Sequence, residues 1–161
     1  MSQRAKELTE RFKAFNNEVI GFVENCSDDK WCKTCSGEGW TVNVVARHIA
    51  ASHYGALGLV KMIVSGETLP ELTTEAIDQG NVKHAKKHAD CTKDEVLGYL
   101  NKNCEAIAAY LTGLNDEDLD RYARLALTGG DISAQQFIES IIIQSGDEHL
   151  NSMKAATGVY K

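Results

Sequence analysis

The sequence has few residues that interrupt helices and no long apolar segment. It contains a single proline, Pro70, among 161 residues, so long helices can form on either side of it. No apolar run approaches the length of a membrane-spanning helix, and the N-terminal segment MSQRAKELTERF lacks the apolar core of a signal peptide. The sequence therefore predicts a cytoplasmic protein with no membrane partner.

Positive charge is also scarce. The chain has 17 Lys and Arg against 23 Asp and Glu, which gives a formal net charge of -6. Proteins that bind nucleic acids need clustered Lys and Arg to displace counterions from phosphates, so this balance argues against such a partner. The one dense basic run is KHAKK, residues 83–87, and it is short enough to be a solvated helix face.

Size and composition indicate one ordinary globular domain. With 43% hydrophobic and 25% charged residues, 161 residues suffice to bury a core without disulfides, and we predict a single domain over residues 1–161. An odd number of cysteines in a chain without a secretion signal predicts free thiols. There are five: Cys26, Cys32, Cys35, Cys91 and Cys104.

Apolar residues recur every three or four positions in four long segments, which predicts an all-α four-helix bundle. The segments are residues 5–24, 41–64, 92–113 and 133–157. A short extra helix is predicted at about 75–89, between helices two and three, and a turn or helical fragment at 115–122. Residues 128–133 are interpreted as a connector, and no strand is predicted. Thr41 is the expected cap of helix two, and the spacings of Thr92 with Glu95 and of Ser133 with Gln136 are those of capping boxes.

Two of these helices carry polar residues on an otherwise apolar stripe. Helix two has His48 and Ser52 one turn apart, and the last helix has Ser145 and His149. A buried imidazole needs a partner, and a hydrogen bond within the core would satisfy His48 taken alone. Four such residues together favour a polar pocket that holds water or a small-molecule ligand. We expect His48 and His149 to approach each other across the core.

The order of these features resembles the DinB-like superfamily, also described as YfiT-like metal-dependent hydrolases. The resemblance rests on the Trp-Thr-Val start of helix two with inward His48, on AIDQGN at 76–81, on NDEDLDR at 115–121 and on inward His149, and it spans nearly the whole chain. It implies a four-helix bundle that forms a homodimer. Members with assigned activities include metal-dependent transferases and isomerases that use low-molecular-weight thiols such as mycothiol or bacillithiol.

The family's metal site takes one histidine from helix two and a pair four residues apart from the last helix, commonly HxxxH or ExxxH. His48 and His149 match two of these positions, but Ser145 stands where the third ligand should be. Since zinc or nickel needs at least three good donors, the resemblance implies an ion that is weakly bound or absent. His84 and His88, one helical turn apart in HAKKH, are possible additional ligands.

Cys32 and Cys35 form a CxxC motif within the segment NCSDDKWCKTCSGEG. This spacing suits a structural zinc ion or a redox disulfide. A structural zinc site normally needs a second such pair, and a redox motif normally follows a strand and begins a helix. Neither context is present in the sequence, so unremarkable loop thiols are the third interpretation.

Two functions are compatible with these observations. One is a metal-dependent enzyme that transfers a thiol, isomerises or hydrolyses a small molecule, with the ion held by His48 and His149. The other is a relative that keeps the pocket without the metal and acts as a small-molecule-binding or stress-associated interaction protein. The retained histidines favour the first function, and Ser145 favours the second.

Overall fold

The computed structural model describes residues 2–159. Its main elements are helical, and the four long segments form the bundle predicted from the sequence. The helices are α1 (Gln3–Asn25), α2 (Asp28–Trp31), α3 (Val42–Arg47), α4 (Leu57–Ser65), α5 (Thr74–Lys87), α6 (Lys93–Thr112), α7 (Asp116–Asp120), α8 (Ala134–Phe137) and α9 (Ser145–Thr157). Helix α1 packs along α6, and α3 packs against both α6 and α9.

Two of the four bundle helices contain a π-helical segment. The first, His48–His53, lies between α3 and α4, and the second, Ile138–Gln144, joins α8 to α9. A π-turn is closed by a hydrogen bond from residue i to residue i+5, so each turn holds one residue more than an α-helical turn. The side chains that follow such a segment therefore face a different direction from the one that α-helical counting predicts.

The expectation that the chain has no strand was wrong. Strands β1 (Tyr122–Leu125) and β2 (Gly130–Ser133) form an antiparallel hairpin in which Tyr122 pairs with Ser133. Gly129, with φ of 69°, supplies the left-handed residue that this turn requires. Strands of four residues are too short to show a clear alternation of apolar and polar positions, so the pattern was interpreted as a connector.

The helix caps agree only partly with the sequence. Ser133 and Gln136 make both hydrogen bonds of a capping box. The Thr92 hydroxyl accepts a hydrogen bond from the Glu95 amide, but the Glu95 carboxylate pairs with Arg47 instead of completing the box. Thr41 precedes α3 without a capping bond, and its hydroxyl donates to the side chain of Asn43.

The core lies between the four bundle helices and contains almost exclusively aliphatic and aromatic side chains. Its largest fully buried members are Phe12, Phe137, Ile49, Ile63, Leu100, Ile107, Leu111, Leu119, Leu125, Ile138, Ile142 and Leu150. Helix α5 lies outside this core and has no fully buried residue, as its basic composition suggested. No helix within residues 2–159 is both long enough and apolar enough to cross a membrane.

Candidate metal centre

Three histidines from two bundle helices meet at the side of the core. The ring centroids of His48 and His149 are 5.0 Å apart, those of His48 and His53 are 4.8 Å apart, and those of His53 and His149 are 4.9 Å apart. His48 and His149 therefore approach each other as expected. His53 is the additional member of the group.

The π-helical segment brings His53 to the same face as His48. In an α-helix, five residues turn the chain by about 500°, which leaves the second side chain about 140° away from the first. In the segment His48–His53 the turn closes with one extra residue, so the two rings meet on one face in a T-shaped arrangement with an interplanar angle of 88°.

Backbone contact orients His53. Its Nδ1 lies 2.9 Å from the carbonyl oxygen of Ile141, which belongs to the second π-helical segment. A carbonyl oxygen only accepts hydrogen bonds, so Nδ1 carries the proton and Nε2 keeps a free lone pair. Burial, opposed by the hydrogen bond to Ile141 and aided by the neighbouring His149, lowers the pKa of His53 to about 4.

A carboxylate orients His149. Its Nδ1 lies 2.8 Å from Oε1 of Glu38, and the other oxygen of Glu38 accepts a hydrogen bond of 2.6 Å from the Ser152 hydroxyl. The Glu38 side chain is only 11% exposed, so this contact is shielded from solvent. As with His53, the nitrogen left for another partner is Nε2.

His48 is the most deeply buried of the three histidines. Burial, followed by the neighbouring histidines His53, His149 and His84, lowers its pKa to about 3, so the ring is neutral near pH 7. Its Nδ1 is buried and has no hydrogen-bond partner among the residues described. An unsatisfied buried nitrogen costs free energy unless something absent from the protein chain binds it.

The three histidines fit a divalent metal ion. One nitrogen from each ring can be chosen so that all three lie within 4.8 Å of one another. Nitrogens bound to one tetrahedral ion at about 2.0–2.1 Å are about 3.4 Å apart, so small ring rotations would bring them into range. Neutral imidazole is the protonation state that binds metals, and three such ligands leave a position open for substrate.

The histidines open into a cavity of about 360 Å³. Most of its remaining wall is apolar and comes from α4, α5, the hairpin and the second π-helical segment with its flanks. The lining residues are His48, Ser52, His53, Ala56, Leu59, Leu72, Ile77, Asn81, Leu125, Leu127, Phe137, Ile141, Ser145, Glu148 and His149. The two serines predicted to line a pocket, Ser52 and Ser145, are therefore in this wall, but neither belongs to the group of possible ligands.

The predicted additional ligands lie outside the histidine group. Nε2 of His84 is 3.0 Å from Nη1 of Arg47, and a guanidinium can only donate. The lone pair of that nitrogen is therefore already used. The ring of His84 lies 5.8 Å from that of His48, and the ring of His88 packs against His84 at 5.1 Å, but neither belongs to the group of possible metal ligands.

The CxxC motif is not part of the metal centre. Cys35 is fully buried, and burial raises the pKa of its thiol to about 11, so the thiol is protonated near pH 7. Cys32 is exposed, and all five cysteines are free thiols in the described chain. Among residues 2–159, the group of metal-binding side chains contains histidines only.

Sequence reasoning missed two residues of this centre. His53 follows His48 by five positions, a spacing that α-helical counting places on another face, and only the sequence proximity of two histidines hinted at it. Glu38 lies in the loop 32–41 with no pattern that marks it. Its contact with His149 joins residues 111 positions apart, which no local signal predicts.

The solved structures that resemble this chain are helical bundles of low sequence identity. YfiT from Bacillus subtilis, described as a probable metal-dependent hydrolase with an unusual four-helix bundle topology, is 17% identical and has a TM-score of 0.79, with 98% of this chain and 89% of that chain covered. An uncharacterized protein from Clostridium difficile 630 is 14% identical, with a TM-score of 0.76 and coverage of 100% and 99%. At these identities, the likeness shows the fold.

No curated protein matches the sequence. The family model of the DinB superfamily matches residues 11–142, which cover most of the first bundle helix, all of the second and third, and the start of the last one. The helical architecture, the structural likeness to YfiT and this match agree, and the chain belongs to the DinB superfamily.

Proposed function

We propose that the protein is a metal-dependent enzyme that hydrolyses a small, largely apolar molecule. The observation that carries this proposal is the group of His48, His53 and His149 at one end of an apolar cavity. Three imidazoles are a complete set of protein ligands for a catalytic zinc or nickel ion. The half-site expected from His48, His149 and Ser145 is thereby replaced by a three-ligand site, and the ion should bind tightly.

The chain supplies an orienting contact for two of the three proposed ligands. The Ile141 carbonyl orients His53 and the Glu38 carboxylate orients His149, each through Nδ1. His48 is held by burial and by a T-shaped contact with the Trp40 ring, in which the two ring centroids are 5.4 Å apart. A divalent ion held by these residues would polarise a carbonyl group of the substrate and lower the pKa of a water molecule that it binds.

The walls of the cavity suggest the kind of substrate. A volume of about 360 Å³ is at the small end of ligand pockets, and apolar side chains such as Leu59, Leu127 and Phe137 surround the part away from the histidines. The hydroxyls of Ser52 and Ser145 can donate hydrogen bonds to a polar head group. Glu148 lines the same cavity, and its carboxylate is the group that we assign as the acceptor of a proton from the attacking nucleophile.

The other functions remain predictions from the sequence and from its resemblance to the DinB-like superfamily. Transfer of a low-molecular-weight thiol would use the same ion but needs a second substrate in the cavity. The metal-free binding protein was favoured by Ser145, and His53 removes that argument because it supplies the third imidazole. The homodimer and the cytoplasmic location likewise remain predictions.

Metal titration tests the site. Untagged protein treated with chelator should bind one equivalent of zinc or nickel, and His48→Ala, His53→Ala and His149→Ala should each weaken that binding by more than about 100-fold. His88→Ala is the matched control, because it removes an imidazole that lies outside the group. Binding that is the same in wild type and in all three variants would contradict the proposed centre.

Turnover tests the activity. Protein loaded with each ion is offered small esters and amides with alkyl or aryl acyl groups, and in parallel an electrophile together with a low-molecular-weight thiol. We expect hydrolysis that is lost on chelation and in the histidine variants. Thiol addition without hydrolysis would replace the proposed reaction by thiol transfer. Tight metal binding without turnover of either panel would contradict the proposed hydrolysis.

A further inference from the structure

The geometry points to Glu38 as a positioning residue of the metal centre, one that fixes the tautomer and direction of His149 so that Nε2 faces the ion. This inference rests on the proposed metal site and adds to it a residue from outside the bundle helices. It also gives the loop of the CxxC motif a role that does not involve its thiols.

Both oxygens of Glu38 are engaged with α9. Oε1 lies 2.8 Å from Nδ1 of His149, and Oε2 accepts a hydrogen bond of 2.6 Å from the Ser152 hydroxyl. His149 and Ser152 are three positions apart on α9 and therefore lie on the same side of that helix. The carboxylate thus holds two neighbouring points of the helix and cannot rotate without losing one of them.

The contact decides which nitrogen of His149 is available. A neutral imidazole carries one proton, and a carboxylate that accepts at Nδ1 keeps that proton on Nδ1. Nε2 is then the unprotonated nitrogen that is left to bind the ion. A carboxylate partner also makes the ring a stronger donor to a metal, and residues of this kind are worth about 10- to 100-fold in metal affinity.

The loop that carries Glu38 is held by backbone hydrogen bonds. The Cys35 amide donates to the Trp40 carbonyl at 2.7 Å, and the Val42 amide donates to the Lys33 carbonyl at 2.8 Å. Gly39, with φ of 72°, adopts the left-handed conformation that closes this turn. The loop therefore presents Glu38 from a fixed position, as a positioning residue requires.

The same loop also contacts a second proposed ligand. The ring of Trp40 packs edge-on against His48, with centroids 5.4 Å apart. Two residues of one loop, Glu38 and Trp40, thus restrain two of the three histidines. The side chains of Glu38 and His149 are 11% and 22% exposed, so water competes little for the hydrogen bond between them.

Metal affinity is the first test, measured on chelator-treated protein by competition with a chromophoric chelator for zinc and for cobalt. Glu38→Gln keeps the size of the side chain and removes its charge, and it should lower the affinity about 10- to 100-fold. The matched control is Glu18→Gln, because Glu18 also contacts α9, through Lys154 at 3.4 Å, but lies outside the centre. It should leave the affinity unchanged.

A double-mutant comparison separates positioning from general destabilisation. In the His149→Ala background, Glu38→Gln should cause no further loss of cobalt or zinc affinity, because the ring that it positions is gone. Nitrogen-15 spectra of the metal-free wild type should show His149 protonated at Nδ1. In Glu38→Gln that preference should weaken, while the spectra of His48 and His53 stay the same.

The results distinguish the two proposals. A wild type that binds neither zinc nor cobalt overturns the proposed metal site. A wild type that binds, together with a Glu38→Gln variant whose affinity is unchanged, overturns the role of Glu38 alone. An equal loss of affinity in the wild-type and His149→Ala backgrounds also overturns it, because the effect would then not pass through His149.

Discussion

The molecule contains two pairs of histidines that are close in sequence, and only one of these pairs belongs to the group of possible metal ligands. His84 and His88 are four residues apart on an α-helix, the spacing expected of two ligands on one helix face, yet they lie outside the histidine group. His48 and His53 are five residues apart, a spacing that an α-helix places on different faces, and both belong to the group.

The difference shows that the spacing of two residues in the sequence predicts the relative directions of their side chains only when the hydrogen-bond pattern of the backbone is known. The π-helical turn adds one residue and aligns His48 with His53. The regular turn of α5 aligns His84 with His88 as well, but Arg47 occupies one nitrogen of His84. Burial does not divide the two pairs in the same way, since it lowers the pKa of His48 to about 3 and the pKa values of both His53 and His84 to about 4.

The largest expected effect is the loss of one ligand. His53→Ala should lower zinc affinity by more than about 100-fold, because even residues that only orient ligands are worth about 10- to 100-fold. His88→Ala should leave it within about twofold, since a change of that size is below 0.5 kcal/mol. Chelator competition measures both. A similar loss of zinc affinity in the two variants would contradict the conclusion that only the first pair of histidines binds the ion.

The second expected effect is a loss of folding stability as the pH falls. His48 and His53 are neutral in the folded protein, with pKa values of about 3 and about 4, while the unfolded chain binds protons below about pH 6.5. Metal-free protein should therefore have its full stability above about pH 6.5 and lose about 1.4 kcal/mol per pH unit for each histidine as the pH falls towards 4.

Urea unfolding between pH 7.5 and 4.5 measures this slope. His53→Ala should make the slope shallower, because it removes one of the three histidines, His48, His53 and His84, whose pKa values are lowered to about 3 or 4. His88→Ala should leave the slope nearly unchanged. A stability that does not depend on pH in this range would show that the buried histidines do not titrate as their environment indicates.

A smaller effect is expected from moving the third ligand to the last helix. Ser145 lines the cavity one turn before His149, so Ser145→His in the His53→Ala background recreates the arrangement implied by the family resemblance. It should recover about tenfold or more of the lost zinc affinity, equal to about 1.4 kcal/mol. In the wild type the same change should bring little gain, because three imidazoles are already present. No recovery in the double variant would show that position 145 cannot reach the ion.

The smallest effect is expected from removing the extra residue of the first π-helical segment. Deletion of Ala51 should convert this segment to an α-helix in which the two histidines are four residues apart and still share a face. Zinc affinity should stay within about threefold, equal to about 0.7 kcal/mol. Deletion of Ala46 is the control, because it falls in the regular, fully buried helix α3 and shifts its packing. Equal damage from both deletions would contradict this account.

The sequence located much of the candidate site but not its third ligand. His48 and His149 were singled out because each interrupts an apolar stripe, and the structure brings them to 5.0 Å between ring centroids. Ser145 stands at the vacant ligand position that the family resemblance implies, four residues before His149. The hairpin was missed because its strands, four residues each, carry too little pattern.

The sequence by itself determined the four bundle helices, their inward faces and the capping box at Ser133, since hydrophobic periodicity and caps act within a few turns of one helix. Only the tertiary structure decided that His53 joins His48, because a π-turn forms where packing of the whole helix favours one extra residue. It also decided that Glu38 meets His149, 111 residues away. That contact depends on where the loop and the last helix lie after folding, and no local propensity encodes this position.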